Sequence, residues 1–168
     1  MRNRFFLALL GATLFLGACS DPKTGYVDNV ALYNQFELKQ ELEGRYLAYK
    51  QQTEKELDSI KVELKALATT LDNSEDKAPE QVREFNRIRQ QFLERQNRIQ
   101  QEEEELSNAY TEQVWEHLNT YLREYGEENE FAYILGGSGQ GNIMYSSEQN
   151  DMTNELVDYV NKKYRGEG

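Results

Sequence analysis

Several residue types are scarce in this chain of 168 residues, and each scarcity excludes a class of protein. The sequence contains one cysteine, one histidine, one tryptophan and two prolines. A single cysteine cannot form a disulfide framework, and no His or Cys residues have the spacing of zinc ligands. This leaves little material for a catalytic site, so we predict a protein that is not an enzyme and holds no metal. The net charge of -11 argues against nucleic acid as a partner, because phosphate contacts need a basic surface.

The main apolar run lies at the N-terminus. Two arginines in the first four positions precede an apolar stretch from Phe5 to Leu16. A basic start, about a dozen apolar residues and small residues before a cleavage point are typical of an export signal, and the stretch is too short to span a bilayer. Leu16-Gly17-Ala18-Cys19 resembles the lipobox of bacterial lipoproteins, which implies cleavage between Ala18 and Cys19 and acylation of Cys19. The alternative is an ordinary secretory signal with an incidental cysteine.

The charge of the remaining chain is unevenly distributed. Without residues 1–18 the chain carries 17 basic and 30 acidic groups, a net charge of -13. Residues 99–168 hold 4 basic and 15 acidic groups, whereas residues 54–98 hold 9 and 10. The middle is therefore dense in charge but balanced. The acidic excess argues against electrostatic adhesion to an anionic membrane surface.

Apolar residues recur at steps of three and four along most of the chain, which predicts two long helices. The first pattern runs from about Val30 to Leu71, and Gly44 within it is interpreted as a bend between a short helix and a long one. Residues 72–78 interrupt the pattern, and Pro79 suits the first position of a second helix. We expect that helix to end near Tyr125, with Gly126 capping its C-terminus. The first stripe comprises Leu42, Tyr46, Tyr49, Thr53, Leu57, Ile60, Leu64, Leu67 and Leu71, and the second includes Val82, Phe85, Ile88, Phe92, Ile99, Leu106, Tyr110, Val114, Leu118, Tyr121 and Tyr125.

The two stripes match each other as the facing sides of an antiparallel hairpin. Seven pairs have residue numbers that sum to 152, as facing positions of such a hairpin must. The predicted arm is about 50 Å long. The register also places Tyr49 opposite Glu103 and Leu57 opposite Arg95 or Gln96, and charged seam positions weaken the packing. We therefore expect a loosely packed arm with accessible grooves. The pairs are Leu67–Phe85, Leu64–Ile88, Ile60–Phe92, Thr53–Ile99, Tyr46–Leu106, Leu42–Tyr110 and Leu38–Val114.

Short elements flank the hairpin. Residues 26–29 and 131–135 are predicted strands, residues 142–145 a return strand that forms a hairpin across the glycine-rich residues 136–141, and Asp151 the N-cap of a last helix. These elements cannot bury enough surface alone, so we expect several chains to share their strands. The predicted organisation is a signal peptide (1–18), a lipidated linker (19–25), an arm (37–125) and a β-containing head (26–36 and 126–165).

Three other features are interpreted as structural. The glycine-rich segment lacks the lysine and following helix of a phosphate-binding loop, which favours a flexible strand connection. His117 has no second ligand or nucleophile nearby, and a plain surface or groove residue is the simpler interpretation. The run from Glu102 to Glu105 is interpreted as a solvated helix face in preference to a cation site.

The order of these elements resembles the OmpH/Skp family of periplasmic chaperones. The resemblance covers nearly all of residues 25–165. It is carried by Gly25-Tyr26-Val27-Asp28-Asn29, by Phe131-Ala132-Tyr133-Ile134-Leu135 with Ile143-Met144-Tyr145-Ser146-Ser147, and by Asp151-Met152-Thr153. It implies a mainly α fold in which a long antiparallel coiled-coil hairpin projects from a short-stranded oligomerisation hub. It also implies a homotrimer that encloses unfolded outer-membrane β-barrel proteins and requires neither ATP nor metal.

The functional hypothesis is a membrane-tethered, ATP-independent holdase in the periplasm, attached by its lipid to the outer membrane. Known family members are basic and soluble, so we expect apolar contacts to matter more than charge in binding clients. The aromatic candidates can equally be seam residues of the hairpin. The alternative function is a lipid-anchored coiled-coil spacer or adaptor that binds one folded partner. The candidate client-binding residues are Tyr46, Tyr49, Phe85, Phe92, Arg83, Arg87 and Arg95.

Overall fold

Two long helices dominate the architecture. The computed structural model describes residues 22–74, 78–138 and 143–167; the predicted signal peptide and Cys19 lie outside these ranges. At about 1.5 Å per residue, the 36-residue and 50-residue helices are about 54 and 75 Å long. In chain order the elements are β1 (Thr24–Asp28), α1 (Asn29–Gln35), α2 (Glu37–Asp72), α3 (Pro79–Glu128), β2 (Tyr133–Gly137), a 3-10 turn (Glu148–Asn150) and α4 (Thr153–Arg165).

Helices α2 and α3 form the predicted antiparallel hairpin. The Tyr49 hydroxyl donates to Glu102 Oε2 at 2.5 Å, and Arg95 Nε donates to Glu56 Oε1 at 2.7 Å. Both pairs have residue numbers that sum to 151, within one residue of the predicted register. Every position of the two apolar stripes is buried or half-buried, as expected for a seam. The predicted hairpin is therefore confirmed.

The break between the first two helices lies at Phe36, and the predicted bend at Gly44 is wrong. Phe36 has an extended backbone (φ -74°, ψ 125°), whereas α2 continues through Gly44. The side chain of Asn161, on α4, holds the two helix ends together: its Oδ1 accepts from the Glu37 amide at 2.8 Å and its Nδ2 donates to the Gln35 carbonyl at 3.0 Å. The break therefore depends on a residue more than 120 positions away.

The main core lies in the head, at the base of the hairpin. Phe36 anchors it, with its ring edge-on to Tyr121 at 6.3 Å and to Tyr164 at 5.7 Å between centroids. Helices α1 and α4 pack around the last turns of α3, which continue past the start of α2. The buried side chains of this core are Val27, Leu32, Phe36, Leu38, Leu42, Val114, Leu118, Tyr125, Met152, Leu156, Val157 and Val160.

The sheet differs from the prediction in both pairing and partner. β1 and β2 pair in parallel, with Thr24 opposite Tyr133 and Asp28 opposite Gly137. Parallel strands need a long crossover connection, and here the whole helical hairpin provides it. Residues 143–147 have no regular secondary structure, so the predicted return strand is wrong over those residues; Asn142 lies outside the described residues.

The predicted connection over residues 136–141 is wrong at its start, because Gly136 and Gly137 belong to β2. A Cβ on Gly136 would lie 2.4 Å from the Asn29 side chain, and a Cβ on Gly137 would lie 2.6 Å from the Tyr26 ring. These glycines therefore allow the side chains of Tyr26 on β1 and Asn29 on α1 to pack closely against β2. They do not form a turn. Residues 139–141 lie outside the described ranges.

The ends of the last two helices also differ from expectation. α3 continues through Gly126, and Glu130 takes the left-handed conformation (φ 58°) beyond its end. The Phe131 amide donates to the Gly126 carbonyl at 2.9 Å, which is the Schellman pattern of helix termination. α4 begins at Thr153 with Met152 as its N-cap, so the predicted N-cap at Asp151 is wrong by one residue. Asp151 precedes the cap, and its Oδ1 accepts from the Thr153 amide at 2.9 Å. The hydrogen bond from the Thr153 hydroxyl, and after it the bond from the Thr153 amide, lower the pKa of Asp151.

Among the described helices, none combines the length and the apolar content that crossing a bilayer would require.

Candidate functional site: the grooves of the helical hairpin

The hairpin is thin, and its seam is incompletely covered between its ends. In α2, the seam is buried at Thr53 and again only at Leu71. The four stripe residues between them are half-buried, as are Phe85 and Phe92 on α3. A two-helix hairpin has no second layer to cover these flanks, so apolar surface stays accessible along the arm. The four α2 residues are Leu57, Ile60, Leu64 and Leu67.

A polar cluster joins the two helices near the middle of the arm. Arg95 donates through Nε and Nη2 to Glu56 at 2.7 and 2.9 Å, and through Nη1 to Glu102 at 3.1 Å. The Arg95 hydrogen bond lowers the pKa of Glu56. The Tyr49 hydroxyl first, and Arg95 second, lower the pKa of Glu102. Burial, followed by the bond to Glu102, raises the pKa of Tyr49 to about 12. We call Tyr49, Glu56, Arg95 and Glu102 the arm clasp.

An open groove of about 480 Å³ lies beside the arm clasp, on the side nearer the head. Its walls are apolar except for two carboxylates, so it can accept an apolar side chain from another polypeptide. Glu102 takes part in the arm clasp, which corrects the interpretation of Glu102–Glu105 as a wholly solvated face. The groove is lined by Tyr49, Glu102, Glu105, Leu106, Ala109 and Tyr110.

A second groove of about 550 Å³ lies near the hairpin tip. Arg83 and Arg87 both line it together with Leu67. Arg87 Nε donates to Glu84 Oε2 at 2.9 Å, and this bond raises the pKa of Arg87. Arg83 is exposed. Arg87 and Arg95 are thus both paired with carboxylates of this chain.

The predicted client-binding residues do not form one site. Tyr49 and Arg95 meet in the arm clasp, and Arg83 and Arg87 share the tip groove. Tyr46 is half-buried, with Lys50 Nζ 5.7 Å from its ring centroid. In the hairpin register Phe85 lies opposite Leu67, about 32 Å along α2 from Tyr46. The candidates therefore line a long strip of the arm, and their role in binding stays a prediction.

The most exposed apolar side chains lie outside the two predicted stripes. On the arm, Leu47, Val62 and Leu93 are 52%, 70% and 50% exposed. The only signal in the sequence is that each is an apolar residue one or two positions away from a stripe residue. In the head, Tyr133, Leu135, Met144 and Tyr145 form a second exposed set.

Two aromatic contacts in the head involve the single tryptophan and the single histidine of the sequence. Trp115 stacks on Tyr33 with ring centroids 5.3 Å apart. The half-buried ring of His117 lies 5.8 Å from that of Tyr121, a packing contact. In the described ranges, no three His, Cys, Asp or Glu side chains form a potential metal site.

These observations define an α-helical hairpin protein that presents an elongated, partly apolar arm from a small head. Residues 23–160 match the family described as "Outer membrane protein (OmpH-like)", and the chain belongs to that family. Membership indicates a chaperone-like protein of the bacterial envelope.

A solved structure supports the fold assignment. The crystal structure of an OmpH-like protein from Caulobacter crescentus CB15, a candidate outer membrane chaperone, is similar to this chain with a TM-score of 0.73 and 16% sequence identity. The match covers 89% of this chain and 91% of the other. At this identity the likeness concerns the fold. No curated protein sequence matches the chain.

Proposed function

We propose that this protein is an ATP-independent holdase that binds unfolded outer-membrane and other envelope proteins in the periplasm and prevents their aggregation. The observation that carries the proposal is the partly covered seam of the hairpin. Family membership favours a chaperone, and the arm offers apolar surface along most of its length. An unfolded client has no fixed shape, and a flexible surface with many weak contacts suits it.

The size of the individual contacts fits reversible binding. Covering the remaining exposed part of one apolar side chain contributes on the order of 1 kcal/mol. Leu47, Val62 and Leu93, together with the half-buried Phe85 and Phe92, offer several such contacts on each arm. A few contacts of this size, spread over several arms, hold a client without trapping it.

Apolar contacts account for the proposed binding of clients better than charged contacts do. Arg87 and Arg95 already bind carboxylates of this chain, so a client would have to compete for them. Arg83, near the tip, is exposed, as Arg87 is. It is the more available of the three because, among the described residues, no carboxylate forms an ion pair with it. We therefore assign the guanidinium groups a secondary part in binding.

We propose further that the chains assemble, as a trimer in the family pattern. β2 pairs with β1 along one edge, and Tyr133 and Leu135 on it are 63% and 47% exposed. Met144 and Tyr145 follow at 87% and 83%. Such apolar surface beside a strand edge favours pairing with another chain. Assembly would place several arms around one client.

The membrane tether is the last part of the proposal. The Leu16-Gly17-Ala18-Cys19 motif supports acylation of Cys19 after removal of residues 1–18. Two or more acyl chains hold a protein firmly on a membrane, whereas one does so only marginally. We place the lipid in the outer membrane.

The test is suppression of aggregation by the unlipidated mature chain, residues 20–168. A denatured β-barrel protein is diluted into it, and light scattering is followed as the chaperone concentration is varied. We expect suppression at about one oligomer per client. A triple variant, Leu47→Gln, Val62→Gln and Leu93→Gln, should suppress scattering less, since it removes exposed apolar surface but keeps good helix formers.

The matched control changes three exposed polar positions of the same arm, Lys55→Gln, Glu63→Gln and Arg89→Gln, and should retain full suppression. Equal loss in both triple variants would show that the apolar side chains are not specifically involved. A clean trimer that suppresses no scattering would exclude the holdase and favour the spacer or adaptor.

A further inference from the structure

The polypeptide enters the head at a fixed point. The Ala132 amide donates to the Lys23 carbonyl at 2.8 Å. Lys23 Nζ donates to the Asn129 carbonyl at 3.0 Å and lies 3.9 Å from the centroid of the Phe131 ring. Main chain and side chain of Lys23 are both held by residues just beyond α3. The chain is therefore anchored at residue 23, close to the C-terminal end of α3.

That point lies at the end of the molecule opposite the arm tip. α3 begins at the tip with Pro79 and ends at Glu128, and its 50 residues correspond to about 75 Å. We call the surface formed by Pro22, Lys23, Asn129, Glu130, Phe131 and Ala132 the entry pole. The entry pole and the tip are thus separated by roughly the full length of α3.

The chain between the lipidation motif and this anchor is short. Three residues lie between Cys19 and Lys23, and in any conformation the four steps from one to the other reach at most about 14 Å. This is about a fifth of the length of α3. Acyl chains on Cys19 would therefore hold the entry pole near the lipid surface.

Charge disfavours an arm that lies flat on the membrane. The carboxylates near the entry pole, Glu127, Glu128 and Glu130, lie close to the lipid in either arrangement, whereas Glu103, Glu104 and Glu105 along α3 approach it only if the arm lies flat. A flat arrangement would bring the acidic part of α3 against anionic lipid headgroups, which repel it within about a Debye length, some 8 Å at physiological salt.

We propose that the entry pole faces the phospholipid bilayer that holds the acyl chains of Cys19, and that the arm projects away from it, with its tip about 75 Å further from the lipid than the pole. This inference rests on the lipid anchoring in the proposed function. It places the client-binding strip of the arm in the aqueous space of the periplasm.

Energy transfer to the membrane tests this orientation on the mature lipidated protein, residues 19–168. Glu127→Cys labels the pole and Glu80→Cys labels the tip; the acylated Cys19 has no free thiol. Each protein is placed in phosphatidylcholine–phosphatidylglycerol vesicles that carry acceptor-labelled headgroups, with a dye pair whose half-transfer distance is well below 75 Å. Transfer from position 127 should exceed transfer from position 80 at least about fivefold, because the tip lies so much further away. Equal transfer from the two positions would overturn the proposal.

A longer tether provides the second measurement. About 20 Gly and Ser residues inserted after Ser20 add a span of roughly 25 Å. Transfer from position 127 should then fall, because the pole is released from the surface. An unchanged signal would show that the short tether does not set the position of the pole.

Failure of the orientation can be distinguished from failure of the proposed function. Mass measurement of the acylated N-terminus and flotation with vesicles test the anchor itself. If the protein carries no lipid and does not float, both the proposed tether and this orientation are excluded. The scattering assay on residues 20–168 still tests the holdase in that case. A protein that floats but gives equal transfer overturns only the orientation.

Discussion

The continuity of α2 through Gly44 leads to a sharp prediction for Gly44→Ala. Gly44 is exposed, and a Cβ placed on it meets no atom within 4 Å. If α2 were bent at Gly44, the bend would depend on the conformational freedom of glycine, and alanine at this position would destabilise the protein. In a continuous helix the glycine is only a conformational cost.

The magnitude follows from helix propensity. Gly in a helix interior is about 1 kcal/mol less favourable than Ala, and no steric clash opposes the gain. We expect the free energy of unfolding to rise by about 0.8 to 1 kcal/mol. For a chain of this size that corresponds to a melting temperature higher by about 2–4 °C.

The assay is urea unfolding of residues 20–168 followed by far-UV circular dichroism. Wild type and variant are compared at one fixed protein concentration, because the apparent stability of the proposed oligomer would depend on concentration. An increase in the midpoint with an unchanged slope indicates a pure stability effect.

Gly137→Ala is the matched control, for which we expect the free energy of unfolding to change in the opposite direction. Its Cβ would lie 2.6 Å from the Tyr26 ring, so we expect a loss of about 1–3 kcal/mol from overpacking. If Gly44→Ala left the midpoint unchanged or lowered it, the description of α2 as continuous would be refuted.

Three further predictions concern single contacts. Asn161→Ala should lower the free energy of unfolding by about 1–2 kcal/mol, because two backbone groups at the break lose their partner; Asn161→Asp keeps the acceptor and should cost less in the same urea assay. Glu130→Gly should raise the melting temperature, by a gain of about 0.5–1 kcal/mol, because glycine adopts φ 58° without strain; a lower melting temperature would contradict this.

The third concerns pH. The raised pKa of Tyr49, about 12, implies stabilisation that is full below its unfolded pKa of about 10 and is lost as pH rises towards 12. The stability difference between wild type and Tyr49→Phe should therefore shrink between about pH 9 and 12; a constant difference would contradict the raised pKa of Tyr49, which burial and then the hydrogen bond to Glu102 produce.

The hairpin could be predicted because its information is local and repeated. Each turn of α2 and α3 contributes a stripe residue, and one incorrect position changes little. The register was predicted by matching the two stripes, and the Tyr49–Glu102 bond shows that the observed register differs from the predicted one by one residue. Pro79 at the start of α3 was likewise predicted from a property of the residue itself.

The head could not be predicted in the same way because its contacts are made across the chain. The break at Phe36 is held by Asn161, and the parallel pairing of β1 with β2 joins residues about 109 positions apart. The Gly136–Gly137 pair has the composition of a turn, yet its role is to admit the side chains of Asn29 and Tyr26. The position of neither side chain can be inferred from the local sequence.

The candidate site was predicted only as a region. Aromatic residues of the stripes mark the arm, but the bonds of Arg95 to Glu56 and Glu102 depend on the one-residue detail of the register. The exposure of Leu47, Val62 and Leu93 depends on how little of a two-helix arm is covered.

The sequence by itself determined two long amphipathic helices, their antiparallel pairing and a short-stranded head, because helical periodicity depends on residues that are close together in the sequence. Only the tertiary structure decided which strands pair, where α1 ends, which carboxylates bind Arg95, and at which end of the molecule the chain enters the head. Those features arise from contacts between distant segments, whose energies depend on packing in three dimensions.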